Sequence, residues 1–453
     1  MALMACVPLI VFLAPVNFTL EAPENVCDLA GADLNQDGLG DILAVFCDEK
    51  SDPLRKGVAV YLAQEDGTYP PAPSSLLSLA PETGAVMLTE TDGRAPVELA
   101  ALNAFGAMTY EYGAAAFTQR EQLSFRSLMP SRCKEPGFLR NVSLDLDGDG
   151  LDEWLLPAPL GMEVRRGSAV IAEVGCDVTS NVSSGGGISV SHRFPASHTF
   201  QVAGSSQKGL AFLSDEYADF ASGERWAERK RFRIPVKLEE KWDASVRMAD
   251  INRDDWPDIM VTQTRGTVNL EVLTQVYVAT GLCEYPETPT AAFHAQGSFA
   301  NGVLADVDGD DYLDMIFVRV PFGVRNIMNF VLRGKVRVEA DVYLYRDGGF
   351  PENPDLQDGL TIDAPEGREQ VAHTLADLNG DGRLDLLLAT QRGELAVYTG
   401  SKEHFISRQP WHAFSVPSFG VVRTADLNQN EAEDLLIFHP SGDHRKRVEV
   451  LVF

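Results

Sequence analysis

Short apolar runs alternate along this chain with acidic or Gly- and Pro-rich turns, and no segment sustains the 3.6-residue period of an amphipathic helix. Ile42–Val45, Val58–Leu62, Leu386–Ala389, Glu394–Tyr398 and Val448–Val452 read as strands on this pattern. Near the N-terminus Val16, Phe18 and Leu20 alternate with Asn17, Thr19 and Glu21, the period-2 signature of a half-buried strand. The pattern predicts an all-β chain of many short strands.

The turns carry the second signal. A nine-residue acidic loop recurs six times, beginning at Asp33, Asp145, Asp250, Asp306, Asp377 and Asp426, and its best copies read Asp-x-Asn/Asp-x-Asp-Gly-x-x-Asp. The copies start 112, 105, 56, 71 and 49 residues apart. The two large gaps are about twice the small ones, so each should hide a decayed copy. Leu88 to Leu102, with Glu90, Asp92 and Gly93, fits the first gap, and Phe200 to Leu213, with no acidic ligands left, fits the second. Eight units of this length, each rich in short strands, predict one closed β-propeller of about eight four-stranded blades over residues 1–453, with seven blades the alternative. Length alone suggests two or three domains, but a closed ring can absorb the whole chain. The last unit holds strands around Val421, Leu435–Phe438 and Val448–Phe453 and then stops one strand short. The strand at Val16–Leu20 is expected to complete it, closing the ring and removing exposed edges.

The loop chemistry points to calcium, which takes six to eight oxygen ligands from carboxylates, amides, backbone carbonyls and water. In the fifth copy Asp377, Asn379, Asp381 and Asp385 occupy positions 1, 3, 5 and 9, and the Arg383 carbonyl at position 7 can join them. Gly382 at position 6 suits the sharp bend because glycine reaches positive φ without a Cβ penalty. The other expected ligand sets are Asp33, Asn35, Asp37 and Asp41; Asp145, Asp147, Asp149 and Glu153; Asp250, Asn252, Asp254 and Asp258; and Asp306, Asp308, Asp310 and Asp314. Asp255 and Asp311 replace the glycine in two of them, and Asp tolerates the left-handed region better than most residues. The sixth set, Asp426, Asn428, Asn430 and Asp434, has lost a carboxylate and carries Glu431 at the bend, so five calcium sites and a weak or empty sixth are expected. Two carboxylates about 4 Å apart repel by roughly 4 kcal/mol at an effective dielectric near 20. Three such pairs rival the net stability of a domain, on the order of 5–15 kcal/mol. A loop without its ion should therefore splay.

These loops, the strand before them (Phe419 to Ala425 ahead of Asp426) and the apolar strand after them resemble FG-GAP/VCBS repeats. Such repeats are similar to the calcium-binding blades of the integrin α-chain head and occur in many bacterial surface and secreted proteins. The resemblance implies a propeller with calcium at the positions named above; the integrin head has seven blades, against the eight units counted here. It implies no particular activity.

Net charge is −28, but the six loops supply 19 carboxylates at ligand positions, and five calcium ions would return ten charges. The remaining acidity argues against nucleic-acid binding. A basic stretch from Arg225 to Lys237 alternates Arg229, Lys230, Arg231 and Arg233 with apolar residues, as expected for a charge-protected edge strand or a patch for an anionic partner. No run of about 18 apolar residues suggests a membrane span. Leu3-Met4-Ala5-Cys6 resembles a lipobox, which would make Cys6 a lipid anchor if the true start lies upstream; otherwise Met1 to Ala14 leads into the closing strand. Cys27 and Cys47 flank the first loop, where a disulfide is geometrically reasonable, and Cys133 and Cys176 bracket the second loop at longer reach. Calcium sites of modular affinity fill outside the cytoplasm, so a secreted, periplasmic or cell-surface location is expected.

Val320 to Lys335 is an apolar insertion expected to pack on its own blade or to project as a docking element. Among the eight histidines no HExxH occurs, and no serine lies in a GxSxG context. His373 precedes a calcium loop, and His192 and His198 flank Phe194-Pro195 without metal spacing. Two functions remain in view: a calcium-stiffened binding, adhesion or scaffold module for protein or glycan, and a polysaccharide lyase or hydrolase built on the face loops.

Overall fold

The computed structural model describes residues 14–130, 133–183, 189–214, 216–235, 242–266, 270–297, 299–321, 328–329, 332–364 and 371–453. These residues form eight four-stranded antiparallel sheets, with one further two-stranded hairpin, Thr179–Ser183 with Ser189–Arg193, between the third and fourth blades. Blade 1 runs through Asn25–Ala32, Asp41–Asp48, Arg55–Tyr61 and Ser75–Leu79, and blade 2 through Ala85–Thr89, Glu98–Asn103, Gly106–Gly113 and Ala116–Ser124. Blade 3 comprises Ser143–Leu144, Glu153–Ala158, Gly161–Arg166 and Ala169–Gly175; blade 4 comprises Ala196–Phe200, Gly209–Leu213, Tyr217–Ser222 and Glu228–Arg233. Blade 5 comprises Asp243–Ala249, Asp258–Arg265, Leu270–Tyr277 and Ala291–Gly297; blade 6 comprises Phe299–Ala305, Asp314–Val320, Lys335–Tyr343 and Leu356–Asp363. Blade 7 comprises His373–Ala376, Asp385–Gln391, Glu394–Tyr398 and His412–Phe414. Both expected decayed units are therefore blades, the second and the fourth.

Blade 8 is built from both ends of the described chain. Val421–Ala425, Asp434–Phe438 and Arg447–Val452 are completed on the outer edge by Val16–Glu21. The added strand pairs antiparallel, Val16 opposite Val452 through Glu21 opposite Arg447. Thr19 Oγ1 donates to the fully buried Glu449 carboxylate at 2.9 Å, a bond that marks the register.

The core is eight clusters rather than one, and each straddles a junction between neighbouring blades. Leu20, Leu436 and Val450 meet Ile42 and Tyr61 between blades 8 and 1. Val58 and Leu77 meet Leu99 and Tyr112 between blades 1 and 2, and Leu102 and Phe125 meet Trp154 between blades 2 and 3. Val164 meets Phe212 and Trp226 at the next junction, followed by Phe220 with Ile259 and Phe293 with Phe317. Val342 packs with Phe405 between blades 6 and 7, and Leu387 with Leu435 between blades 7 and 8. A second strand such as Asp434–Phe438 is buried throughout because neighbours cover both of its faces, which is why these strands read as continuous apolar runs. First strands from blades 7, 8, 1, 2 and 3 line one shared cavity of about 780 Å³, so in these blades the first strand is innermost.

Glu228–Arg233 is the outer edge strand of blade 4, and its basic side chains are exposed and tied locally, Arg231 to Asp219 and Asp177. Residues 322–327 and 330–331 of the apolar insertion lie outside the described residues, as do 1–13 with Cys6; Met328 and Leu332 are exposed. Cys47 lies opposite Asn25, and Cys27 falls in the bulge between Val26 and Asp28. Both are free thiols, as are Cys133 and Cys176. No helix among the described residues is long and apolar enough to cross a membrane.

Candidate metal centres

Each acidic loop joins the innermost strand of its blade to the second strand, so topology places every copy on one face of the ring. Within each copy the side chains do for the backbone what a turn template does. The position-1 carboxylate accepts two or more loop N–H groups: Asp377 Oδ1 takes Gly380 and Asp381 at 2.8 and 3.1 Å, and Oδ2 takes Gly382 at 2.7 Å. Asp33, Asp145, Asp250, Asp306 and Asp426 repeat this, each bonding the position-6 N–H at 2.9–3.3 Å. Position 5 then caps the position-7 N–H, as Asp37 caps Leu39 at 2.8 Å and Asp254 caps Trp256 at 2.9 Å. Such Asx turns are the local reason that Asp and Asn recur at alternate positions.

Position 6 has positive φ in all six copies, at Gly38, Gly150, Asp255, Asp311, Gly382 and Glu431, as expected. Position 4 does too, at Gln36, Gly148, Arg253, Gly309, Gly380 and Gln429. The mixed residue types at position 4 hide that second left-handed bend from the sequence.

Position 9 has a structural role of its own. Asp41, Asp258, Asp314, Asp385 and Asp434 are essentially fully buried, and each brackets two backbone amides. One oxygen accepts the position-2 N–H, of Leu34, Ile251, Val307, Leu378 or Leu427, at 2.8–3.1 Å. The other accepts an N–H just past the third strand, of Ala63, Ala279, Tyr345, Gly400 or Phe453, at 2.7–2.9 Å. Burial raises these carboxyls, to about 6 for Asp41 and Asp385 and about 7 for Asp258, Asp314 and Asp434. The bracketing amides partly offset that rise, and nearby loop carboxylates reinforce it.

The loops also touch one another. The position-8 N–H of one loop donates to a carbonyl at position 1 or 2 of the preceding loop: Asp152 to Glu90, Lys208 to Leu146, Leu313 to Ile251, Glu433 to Asp377 and Gly40 to Leu427, all at 2.7–2.9 Å. Pro257 fills position 8 in blade 5 and has no N–H to give. Between blades 6 and 7 the backbones meet directly, since a Cβ on Gly309 would lie 2.2 Å from the Gly382 carbonyl oxygen. The result is a belt of loops around one face.

Ligand geometry differs between copies. Carboxylate oxygens of Asp306, Asp308 and Asp314 lie within 4.8 Å of one another, as do those of Asp145, Asp147 and Glu153. Asp308 Oδ1 is buried with no hydrogen-bond partner, an orphaned acceptor that fits a hard cation. The sets at Asp33, Asp250 and Asp377 keep all-oxygen donors, with their Asn amide oxygens turned onto loop N–H groups. In the sixth loop Asn428 and Asn430 both donate their side-chain amides to the Phe453 carbonyl, at 3.1 and 2.9 Å, which closes the loop without a cation.

Blade 2, expected as a decayed copy, keeps a converging acidic group. Glu90, Asp92 and Glu98 stand at positions 1, 3 and 9, and their oxygens converge within 4.8 Å. Glu98 accepts the position-2 N–H of Thr91 at 3.0 Å, like its counterparts. The 1-3-9 spacing was present in the sequence; Arg94 at position 5 and Ala95-Pro96 at the bend concealed it. Blade 4 carries no acidic ligand, and Gln201 at position 1 ties its turn through the Ser205 carbonyl at 2.7 Å.

Arg166 enters the loop of blade 3. Its guanidinium reaches Asp149 at 2.7 Å, Asp147 at 3.1 Å and Glu153. Hydrogen bonding to it holds the Asp149 carboxyl below the usual range. His373 is exposed and bonds the Val371 carbonyl at 2.9 Å, while burial lowers the pKa of His198, in the first strand of blade 4. His192 lies on the extra hairpin.

An FG-GAP-like repeat model matches residues 377–437, the span from the first loop residue of blade 7 to the second strand of blade 8. No curated protein matches the chain. Among solved structures, the chain is similar to BBS1N in its complex with ARL6DN, soaked with lead (11% identity, 96% of this chain and 95% of that one, TM-score 0.38). It is also similar to the Vibrio cholerae biofilm matrix protein Bap1 (10% identity, 95% and 88%, TM-score 0.36) and to the Dos1 propeller (8% identity, 96% and 93%, TM-score 0.43).

Proposed function

We propose, from the premise that this chain is an FG-GAP-repeat β-propeller, that it is a calcium-stiffened binding or scaffold module working outside the cytoplasm. The observation that carries the reading is the belt: acidic loops on one face, five of them closed by the same position-9 bracket, with backbone hydrogen bonds joining five pairs of neighbouring loops. Ions in the loops of blades 1, 5, 6 and 7 would neutralise clustered carboxylates there and lock neighbouring blades together through the belt. The ring then presents a rigid surface to a protein or glycan partner. Calcium of the modular affinity range, about 10⁻⁴–10⁻³ M, is available in extracellular surroundings, which supports that location.

A calcium titration followed by thermal unfolding tests the metal half, with binding of the same sample to glycan and protein arrays testing the other. Saturating calcium should raise Tm by several degrees over the EDTA-treated chain, and magnesium should not substitute. An unchanged Tm removes the calcium reading; a glycan that is cleaved rather than retained replaces the module with an enzyme.

A further inference from the structure

We propose that the loop of blade 3 holds no calcium ion and carries its cation in the chain, as Arg166. This rests on the calcium reading of the other loops but concerns only residues 145–153. In the five loops with Asp at position 9, the second carboxylate oxygen accepts a backbone N–H from the residue past the third strand. Blade 3 departs from that rule in two coordinated ways. Position 9 is Glu153, one methylene longer, and the third strand ends on Arg166, whose guanidinium takes the free oxygen. Glu153 is fully buried, with its other oxygen still on the Leu146 N–H at 2.9 Å, so half of the bracket is kept and half is replaced.

From Glu153 the guanidinium spans the loop. Nη1 donates to Asp149 Oδ2 at 2.7 Å, and Nη2 reaches Asp149 Oδ1 at 3.2 Å and Asp147 Oδ2 at 3.1 Å. One planar fork therefore engages positions 3, 5 and 9, three of the four side chains a calcium ion would need. Arg346 by contrast touches its loop from outside, reaching Asp308 at 3.2 Å with its side chain 54% exposed. The Arg166 side chain is 35% exposed, and the carboxylate it meets at Glu153 is at 0%. A guanidinium and a dication cannot share these oxygens, because each repels the other across a site that has too few ligands for both. The fixed charge makes this loop indifferent to calcium concentration.

Native mass spectrometry of the full chain in calcium counts bound ions for wild type, Asp147→Ala and Arg166→Ala, with far-UV circular dichroism confirming the fold. Asp147→Ala, which removes the position-3 oxygen outright, should leave the ion count unchanged, and Arg166→Ala should raise it by one by freeing the three carboxylates it engages. Arg166→Ala should also lower the Tm of the EDTA-treated chain more than that of the calcium-loaded chain. A count lowered by one in Asp147→Ala means the natural loop holds an ion, and the idea is then wrong. A folded Arg166→Ala with no added ion overturns it equally, since Arg166 would not be what excludes the metal. Should Arg166→Ala fail to fold, the Asp147→Ala count still decides. A wild-type count of zero instead removes the calcium reading of the other loops, and the gain of one ion in Arg166→Ala remains the measure of this proposal.

Discussion

Arg423 and Asp28 are bonded across the junction between the last blade and the first, Nε donating to Oδ1 at 2.9 Å. Asp28 is 5% exposed and also takes Arg140 from the connector between blades 2 and 3, along with the Phe138 N–H at 3.0 Å. Burial alone would push this carboxyl up, but the Arg140 and Arg423 guanidiniums hold it below its ordinary value. One buried carboxylate thus ties the ring closure to the third blade. Removing one member of a buried charge network leaves the others unpaired, at about 3–5 kcal/mol. Asp28→Ala should cost that much in urea unfolding, and Arg423→Ala less because Arg140 remains. A loss below about 1 kcal/mol for Asp28→Ala would refute a role at the seam.

The outer strand of blade 8 gives a second expectation. Leu20 is fully buried in the cluster shared by blades 8 and 1, while Thr19 on the opposite face bonds Glu449. Leu20→Ala should destabilise by about 2–5 kcal/mol, the usual range for such a truncation. Because an opened ring exposes strand edges, the variant should also associate at high concentration, measurable by light scattering. A monomeric variant of wild-type stability would mean that Val16–Glu21 is not what closes the ring.

Positions 5 and 9 of one loop should behave differently although both are aspartates. Asp385 brackets the Leu378 and Gly400 amides and is fully buried, whereas Asp381 is exposed and caps only the Arg383 N–H, at 3.0 Å. Asp385→Asn turns an acceptor into an amide donor facing an N–H, a loss of about 1–3 kcal/mol with or without calcium. Asp381→Asn should leave the EDTA-treated chain within about 0.5 kcal/mol of wild type and remove only part of the calcium-dependent rise in Tm. Equal losses for the two variants in EDTA would dismiss the bracket.

The fold was legible in the sequence because its repeat is written in residues that the backbone requires. The period of the loops gave the ring, and Val16, Phe18 and Leu20 gave its closure, since alternation is read directly from pleating. Blade 4 was found from spacing alone. The belt was invisible because it is made by backbone groups: nothing in the identity of Gly40, Asp152, Lys208, Leu313 or Glu433 announces a position-8 N–H aimed at the preceding loop. Arg166 was hidden for another reason. It lies 13 residues from Glu153 on a different strand, and only the hairpin register of blade 3, with Trp154 opposite Arg165, brings it to the loop.

The buried position-9 carboxylates set the pH dependence. Asp41 and Asp385 are raised to about 6, and Asp258, Asp314 and Asp434 to about 7, chiefly by burial. An unfolded aspartate titrates near 3.9. Between that value and about 7 the folded, metal-free chain therefore binds more protons than the unfolded one. Stability from these groups is fully present below about pH 4 and is lost as pH rises through 6 to 7. EDTA-treated protein should accordingly have a higher Tm at pH 5 than at pH 8. Calcium bound at these carboxylates, as proposed, would compete with those protons, so the calcium-induced rise in Tm should be larger at pH 8 than at pH 5. Asp314→Asn should flatten both trends by removing one of the titrating groups. An EDTA-treated Tm that climbs steadily from pH 5 to pH 8 would show that these carboxylates are already ionised in the folded chain, with the bracketing amides outweighing burial.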